Sequence, residues 1–206
     1  MPANKYTLKD GTPIPGVTTV CNQLDKPQLL DWVWKLGKKG KDWREQRDSA
    51  GDIGTLVHEL VIKFIQGNLG AVDLEAVQPK VLVCLTKFKN WWADETKKGI
   101  SVELIEQPLV SEVYKFGGQL DIYAKVNGKR RLIDIKTSGG IYDSYWYQLA
   151  GYGILLKVNG YKVDEYQILW LPKDDRFDCP IRENLKREKQ IFKHLLEIYK
   201  LRRRES

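Results

Sequence analysis

A chain of 206 residues that is 42% apolar and 30% charged is long enough for one sizeable domain and too apolar to remain disordered. No apolar run reaches the about 18 residues that cross a bilayer, and the polar segment 1–10 lacks a signal peptide's hydrophobic region. The chain is therefore expected to be soluble, intracellular and cytoplasmic, without a membrane partner, while its net charge of +7 fits a polyanionic partner without requiring one.

The chain opens with turn signals at Asp10-Gly11-Thr12-Pro13 and Pro15-Gly16, followed by an expected extended piece over Val17–Cys21. A helical segment starts near Lys26-Pro27. Over residues 29–47 the tryptophans Trp32, Trp34 and Trp43 alternate with Lys35, Lys38, Lys39, Lys41, Arg44 and Arg47. One reading is an amphipathic helix pair with its tryptophans in the core. The other is a wall that stacks bases and tracks phosphates.

Residues 52–66 carry the clearest helical signal, with Ile53, Leu56, Val57, Leu60, Val61, Phe64 and Ile65 on one stripe and Gly67 as the stop. His58 sits at the border of that stripe, where a histidine by itself reads as structural. Residues 76–98 form another helix, broken at its start by Pro79, with Val81, Leu82, Leu85, Phe88 and Trp92 on one face.

After Gly99 the texture becomes β-branched and aliphatic. Segments 102–113, 118–126 and 131–137 read as a meander of three strands, the last two joined at the hairpin marker Asn127-Gly128. A helix over 142–157, a strand over 165–171 closed by Pro172, and a basic amphipathic helix over 182–204 complete the chain. The Arg202-Arg203-Arg204 tail complements that helix's dipole. Helices flanking a sheet of mixed direction define an α/β class.

Acid-x-lysine occurs both at Glu95-Thr96-Lys97 and at Asp134-Ile135-Lys136. On a helix, residues two apart face different directions; on a strand they share a face. Only Asp134 and Lys136 can thus aim a carboxylate and an ammonium at one phosphate. Asp121 follows Gly117-Gly118, and the turn at Asn127-Gly128 can lay it beside Asp134 if the register allows. Carboxylates on apolar strands are costly unless a cation or hydrogen bonds satisfy them, so this cluster points to a divalent ion.

Gly118-x-x-Asp121, Asp134-x-Lys136 and Gln148-x-x-x-Tyr152, with Gly54-Thr55-x-x-His58 upstream, resemble the RecB-like branch of the PD-(D/E)XK nucleases, most closely its small phage and mitochondrial single-strand exonucleases. The resemblance covers about residues 15–171. It implies a restriction-endonuclease-like core with a central mixed β-sheet flanked by helices. A single domain over 1–206 is expected, with an N-terminal helical segment, 1–75, carrying the histidine motif and a sheet-containing catalytic core, 76–206. The branch's usual Leu120 stands where others carry proline, and Asp134 where others carry glutamate; both acids keep a carboxylate.

The same resemblance implies His58, Asp121, Asp134 and the Ile135 carbonyl as ligands of one or two Mg²⁺ or Mn²⁺ ions. Lys136 would act at the scissile phosphate, with Gln148 and Tyr152 lining the catalytic site. Glu106 is a candidate for a water-mediated contact. Cys21, Cys84 and Cys179 are too few for the branch's four-cysteine iron-sulfur cluster, so none is expected. The implied activity is metal-dependent hydrolysis of DNA from single-stranded ends, in repair, recombination or replication. A catalytically silent DNA-binding module and a structure-specific endonuclease stand as alternatives. A small-molecule hydrolase finds no GxSxG elbow, Walker loop or dinucleotide glycine fingerprint.

Overall fold

The computed structural model describes residues 6–203, so Met1 to Lys5 and the tail residue Arg204 lie outside the described residues. A short hairpin, β1 (Tyr6–Thr7) and β2 (Pro13–Ile14), precedes three helices: α1 (Val17–Cys21), α2 (Pro27–Lys38) and α3 (Trp43–Ile65). Two 3₁₀ turns lead into α4 (Pro79–Lys97), which has proline in its first turn, where no amide donor is missed. Then follow β3 (Ser101–Ile105), β4 (Pro108–Ser111), β5 (Phe116–Gln119), β6 (Ile122–Val126) and β7 (Lys129–Lys136). Helix α5 (Asp143–Val158), β8 (Glu165–Trp170), β9 (Ile181–Arg182) and α6 (Lys186–Arg203) end the fold.

The protein is an α/β fold built on a mixed five-stranded sheet of order β3-β6-β7-β8-β9, with helices on both faces. Antiparallel β6 and β7 meet through Asn127-Gly128, whose φ angles of 48° and 79° are those of a tight primed hairpin turn. β7 and β8 run parallel. That arrangement needs a crossover, and α5 supplies it.

Side chains alternate across β7. Ile133 and Ile135 pack with Val57, Leu60, Leu85 and Phe88 of α3 and α4, whereas Leu132 packs with Leu149, Leu155 and Phe192 of α5 and α6. Arg131 points to the α4 side and is 7% exposed. Its guanidinium donates to Glu165 at 2.9 Å and to Glu95 at 2.9 Å, and Lys98 and Lys129 close the network at 2.8 Å each. Among the described residues, no helix is long and apolar enough to cross a membrane.

Several expected boundaries are corrected. Val17–Cys21 is a helix, not an extended piece. Its buried residues Val17, Val20 and Cys21 follow the three-four spacing of a helix, and the β-branched composition conceals that pattern. α3 runs unbroken through Ser49-Ala50-Gly51, so residues 52–66 are its second half. The 102–113 strand breaks at Glu106, whose φ is +43° and whose amide bonds the Asp121 carbonyl at 2.8 Å. Beyond that bend β4 pairs with β5 in a separate ladder. The 118–126 strand likewise breaks before Ile122, so Asp121 lies in the bend between β5 and β6. The last helix begins at Lys186, because Ile181 and Arg182 pair with β8.

The core placement of the tryptophans also fails. α2 buries no residue, and Trp34 is 58% exposed with the Lys38 ammonium 3.9 Å above its ring. The first turns of α3 are equally exposed, so the α2–α3 hairpin stands away from the core.

Arg131→Met leaves two carboxylates without their shared cation and is expected to cost about 3–5 kcal/mol, read as a lower urea midpoint. Burial alone would raise the pKa of Glu165, but its bonds from Lys129 and Arg131 hold it below the ordinary glutamate range. The stability this confers is present above about pH 4.3 and is lost as pH falls through the depressed value. The wild type should therefore lose stability more steeply than Arg131→Met on acidification. Parallel curves would show that the network carries no such linkage.

Candidate active site

The β6–β7 register pairs Ile122 with Ile133, which sets Asp121 opposite Asp134 at the end of the ladder. One oxygen of Asp121 accepts the Ile135 amide at 2.7 Å. Its other oxygen lies 3.6 Å from His58 Nδ1, and His58 Nε2 lies 3.2 Å from the Ile135 carbonyl. α3, packed on the sheet face through Val57 and Leu60, delivers His58 to the end of β7. Gly54, one turn earlier, permits that approach: a Cβ there would stand 3.2 Å from Thr137 Oγ1.

Asp134 points to the α5 face and is 2% exposed. Lys136 Nζ lies 2.5 Å from its Oδ2, but Oδ2 has no hydrogen bond. The two findings are compatible: a close ammonium neutralises charge even where the angles are poor for a hydrogen bond. Burial pushes the Asp134 carboxyl up to about 6, against the pull of Lys136, and Asp121 adds to the rise. For Lys136, burial works downward, but Asp134 and Asp121 more than offset it and raise its pKa. The lysine thus remains an ammonium.

α5 adds Gln148 and Tyr152 one turn apart on one face. Gln148 Nε2 donates to Tyr152 Oη at 3.0 Å and to Thr18 Oγ1 at 3.3 Å. Burial, with Asp134 and Asp121 nearby, pushes the Tyr152 phenol well up, so it stays a neutral donor. A side chain on Gly118 would meet the Tyr152 ring at 2.8 Å, which explains a glycine before Asp121. All the sequence-derived site residues, His58, Asp121, Asp134, Ile135, Lys136, Gln148 and Tyr152, therefore converge at one end of β7. Glu106 joins them indirectly, through its amide on Asp121 and its carboxylate accepting Gln119 Nε2 at 3.2 Å.

Among the described residues, no group of three or more His, Cys, Asp or Glu side chains is placed to hold a metal ion as they stand. The donors nevertheless suit a cation. Both ring nitrogens of His58 face oxygens, the Ile135 carbonyl and Asp121, and Asp134 Oδ2 adds a buried oxygen without a well-aligned hydrogen bond. Oxygen donors with one imidazole fit a hard divalent ion such as Mg²⁺ or Mn²⁺.

Sequence reasoning missed three groups around this site. Tyr145 carries the Lys136 ammonium 5.1 Å from its ring centre, and Thr18 holds Gln148. Lys87 of α4 donates to the carbonyls of Pro172, Asp174 and Arg176, the first at 2.7 Å and the last at 2.6 Å. It thereby gathers the loop after β8. That loop borders a cleft of about 590 Å³ between the α2–α3 hairpin and the β7–α5 turn, whose lining includes Thr137 and Tyr145 beside Lys136. Tyr145 falls on the same helical stripe as Gln148 and Tyr152, a signal available in advance. Lys87 left none.

No family model matches the chain, and no curated protein matches it. Among solved structures, a protein of Eubacterium rectale provisionally described as an exonuclease is similar over 73% of this chain, at 16% identity and a TM-score of 0.48. The chain spans 65% of that protein's length. An alkaline exonuclease of Laribacter hongkongensis is similar at 18% identity and a TM-score of 0.33, over 58% of this chain and 71% of that one. Its complex with dAMP gives the same identity and TM-score over 73% of this chain and 84% of that one. Similarity at this level assigns neither family nor activity.

Lys87→Met is expected to release the 172–176 loop and to cost about 1–3 kcal/mol, because three carbonyls lose a charged donor. Hydrogen exchange of residues 172–178 should accelerate while that of β7 does not. Unchanged loop exchange would rule out the clamp.

Proposed function

We propose that the chain is a divalent-metal-dependent deoxyribonuclease with a restriction-endonuclease-like core of the RecB-like type, acting as an exonuclease on single-stranded DNA ends. The observation that carries this reading is the buried Asp134 carboxylate, whose Oδ2 has the Lys136 ammonium 2.5 Å away but no well-aligned hydrogen bond, set beside Asp121 and His58 with a lysine whose positive charge is secured. A fold that needed only stability would gain from an apolar residue there. Strongly perturbed acids beside a cleft mark functional sites.

His58, Asp121, Asp134 and the Ile135 carbonyl would hold one or two Mg²⁺ or Mn²⁺ ions. A divalent ion there supplies Lewis-acid polarisation of the phosphodiester and acidifies a nearby water. In the hydrolysis, the water oxygen bonds to phosphorus as the ester P–O bond breaks, and the departing oxygen takes a proton. The Lys136 ammonium offsets charge that develops on the phosphate oxygens. Asp121 accepts the Ile135 amide and so ties the bend before β6 to the end of β7. Tyr152, oriented by Gln148, remains a protonated donor beside the same carboxylates. The exposed Trp34, the half-buried Trp32 and Trp43 and the exposed lysines of the α2–α3 hairpin favour a single strand, because stacking faces are free only on unpaired bases. Replication, recombination and repair are the processes that present such ends.

The test uses end-labelled single-stranded and duplex DNA with Mg²⁺, Mn²⁺ or chelator, beside a closed circular single strand. Linear single strands should be degraded with either metal, the circle spared, and all cleavage lost on chelation. Lys136→Ala should keep DNA binding and lose about 10²–10³-fold in kcat. Cleavage in chelator, or normal turnover by Lys136→Ala, would overturn the reading.

Binding of the ion has its own readout. Mn²⁺ at about 100 times its Kd should stabilise the wild type by about 2.7 kcal/mol. It should raise the melting temperature of Asp134→Asn far less. Equal shifts in the two proteins would remove Asp134 from the ligand set.

A further inference from the structure

We propose that the 590 Å³ cleft between the α2–α3 hairpin and the β7–α5 turn is a subsite for one unpaired nucleobase, that of the nucleotide flanking the scissile phosphodiester. This rests on the nuclease reading above and names where the strand lies relative to the chemistry. Trp32 from the outstanding hairpin and Tyr142 and Tyr145 from the β7–α5 turn all line it. The two tyrosines hold each other edge to face, with ring centres 5.5 Å apart at 68°. Aromatic rings lining a cleft offer faces to a flat π-system, and the volume lies within the range of about 300–1,000 Å³ typical of small-molecule sites.

The rim is cationic. Lys26, Arg47 and Lys173 line the same cleft and can meet the phosphates on either side of a seated base. Two of the nearby anions are already engaged. Asp174 accepts Arg176 at 2.6 and 3.0 Å, and Asp48 pairs with Arg47 at 2.8 Å in an exposed ion pair that phosphate can displace. A base in a duplex has its faces covered by its neighbours, so the cleft selects for unpaired nucleotides.

Tyr145 fixes the subsite's position. The ring that lines the cleft is the one that stands 5.1 Å from Lys136 Nζ. A base on the cleft side of Tyr145 therefore belongs to a nucleotide next to the phosphate that Lys136 faces. α2 buries nothing, and its half-buried Trp32 lines this cleft.

The experiment places 2-aminopurine, one position at a time, along a single-stranded oligonucleotide and records its fluorescence with wild-type protein in chelator. One position should be quenched well beyond its neighbours, and that quench should be lost in Trp32→Ala and Tyr145→Ala but kept in Tyr145→Phe. With metal present, an abasic residue at that position should raise KM on the order of tenfold, whereas abasic residues farther along should not. Uniform quenching, or a position-specific quench indifferent to both alanine variants, would overturn the subsite. Normal cleavage alongside either result would leave the nuclease reading standing. A position-specific, Trp32-dependent quench without any cleavage would retain the cleft as a single-strand site and remove the nuclease reading instead.

Discussion

The arrangement depends on one register, the antiparallel pairing of Ile122 with Ile133 that the Asn127-Gly128 turn imposes on β6 and β7. Because side chains alternate along a strand, a slip of one residue would carry Asp134 and Lys136 through the sheet to the α4 side and bring Ile133 and Ile135 into their place. The apolar contacts of Ile133 and Ile135 with α3 and α4 oppose that slip. Packing that has nothing to do with phosphate therefore holds the two acids side by side. The Asp121 bond to the Ile135 amide then ties the bend before β6 to the same strand.

β7 carries buried charge at both ends, and the two ends are treated differently. Near its start, Arg131 sits between Glu95 and Glu165 with lysines completing both acids, so every charge there has a partner. Near its finish, Asp134 has a lysine close by but an oxygen without a hydrogen bond, and its carboxyl is raised by burial. The same strand and sheet thus hold one completed network and one left incomplete. An incomplete network costs stability, and such costs persist where a ligand is to supply what is missing.

Around the incomplete end, the elements contribute from different directions. α3 reaches the end of β7 with His58, α5 presents Tyr145, Gln148 and Tyr152, and Lys87 gathers the loop after β8 from the α4 side. The hairpin of α2 and the start of α3 stands over this end without packing into the core. The site thus lies at the end of the sheet's central strand, with a solvated hairpin above it.

The sequence by itself determined whatever follows from short periodicities and turn chemistry. The hairpin at Asn127-Gly128, the shared face of Asp134 and Lys136, the one-turn spacing of Gln148 and Tyr152, and the border position of His58 all depend on residues a few places apart. Such spacings translate directly into direction on a strand or helix. Composition misled where burial decides, as with the β-branched Val17–Cys21 helix and the tryptophans of α2, because propensity does not say whether anything lies beneath a face. Only the tertiary structure decided that His58 faces Asp121 and the Ile135 carbonyl, that Lys87 clamps a loop 85 to 89 residues away, and that Trp32 and Tyr145 line one cleft. Those contacts join segments remote in the chain, and long-range packing, which leaves no local pattern, is what brings them together.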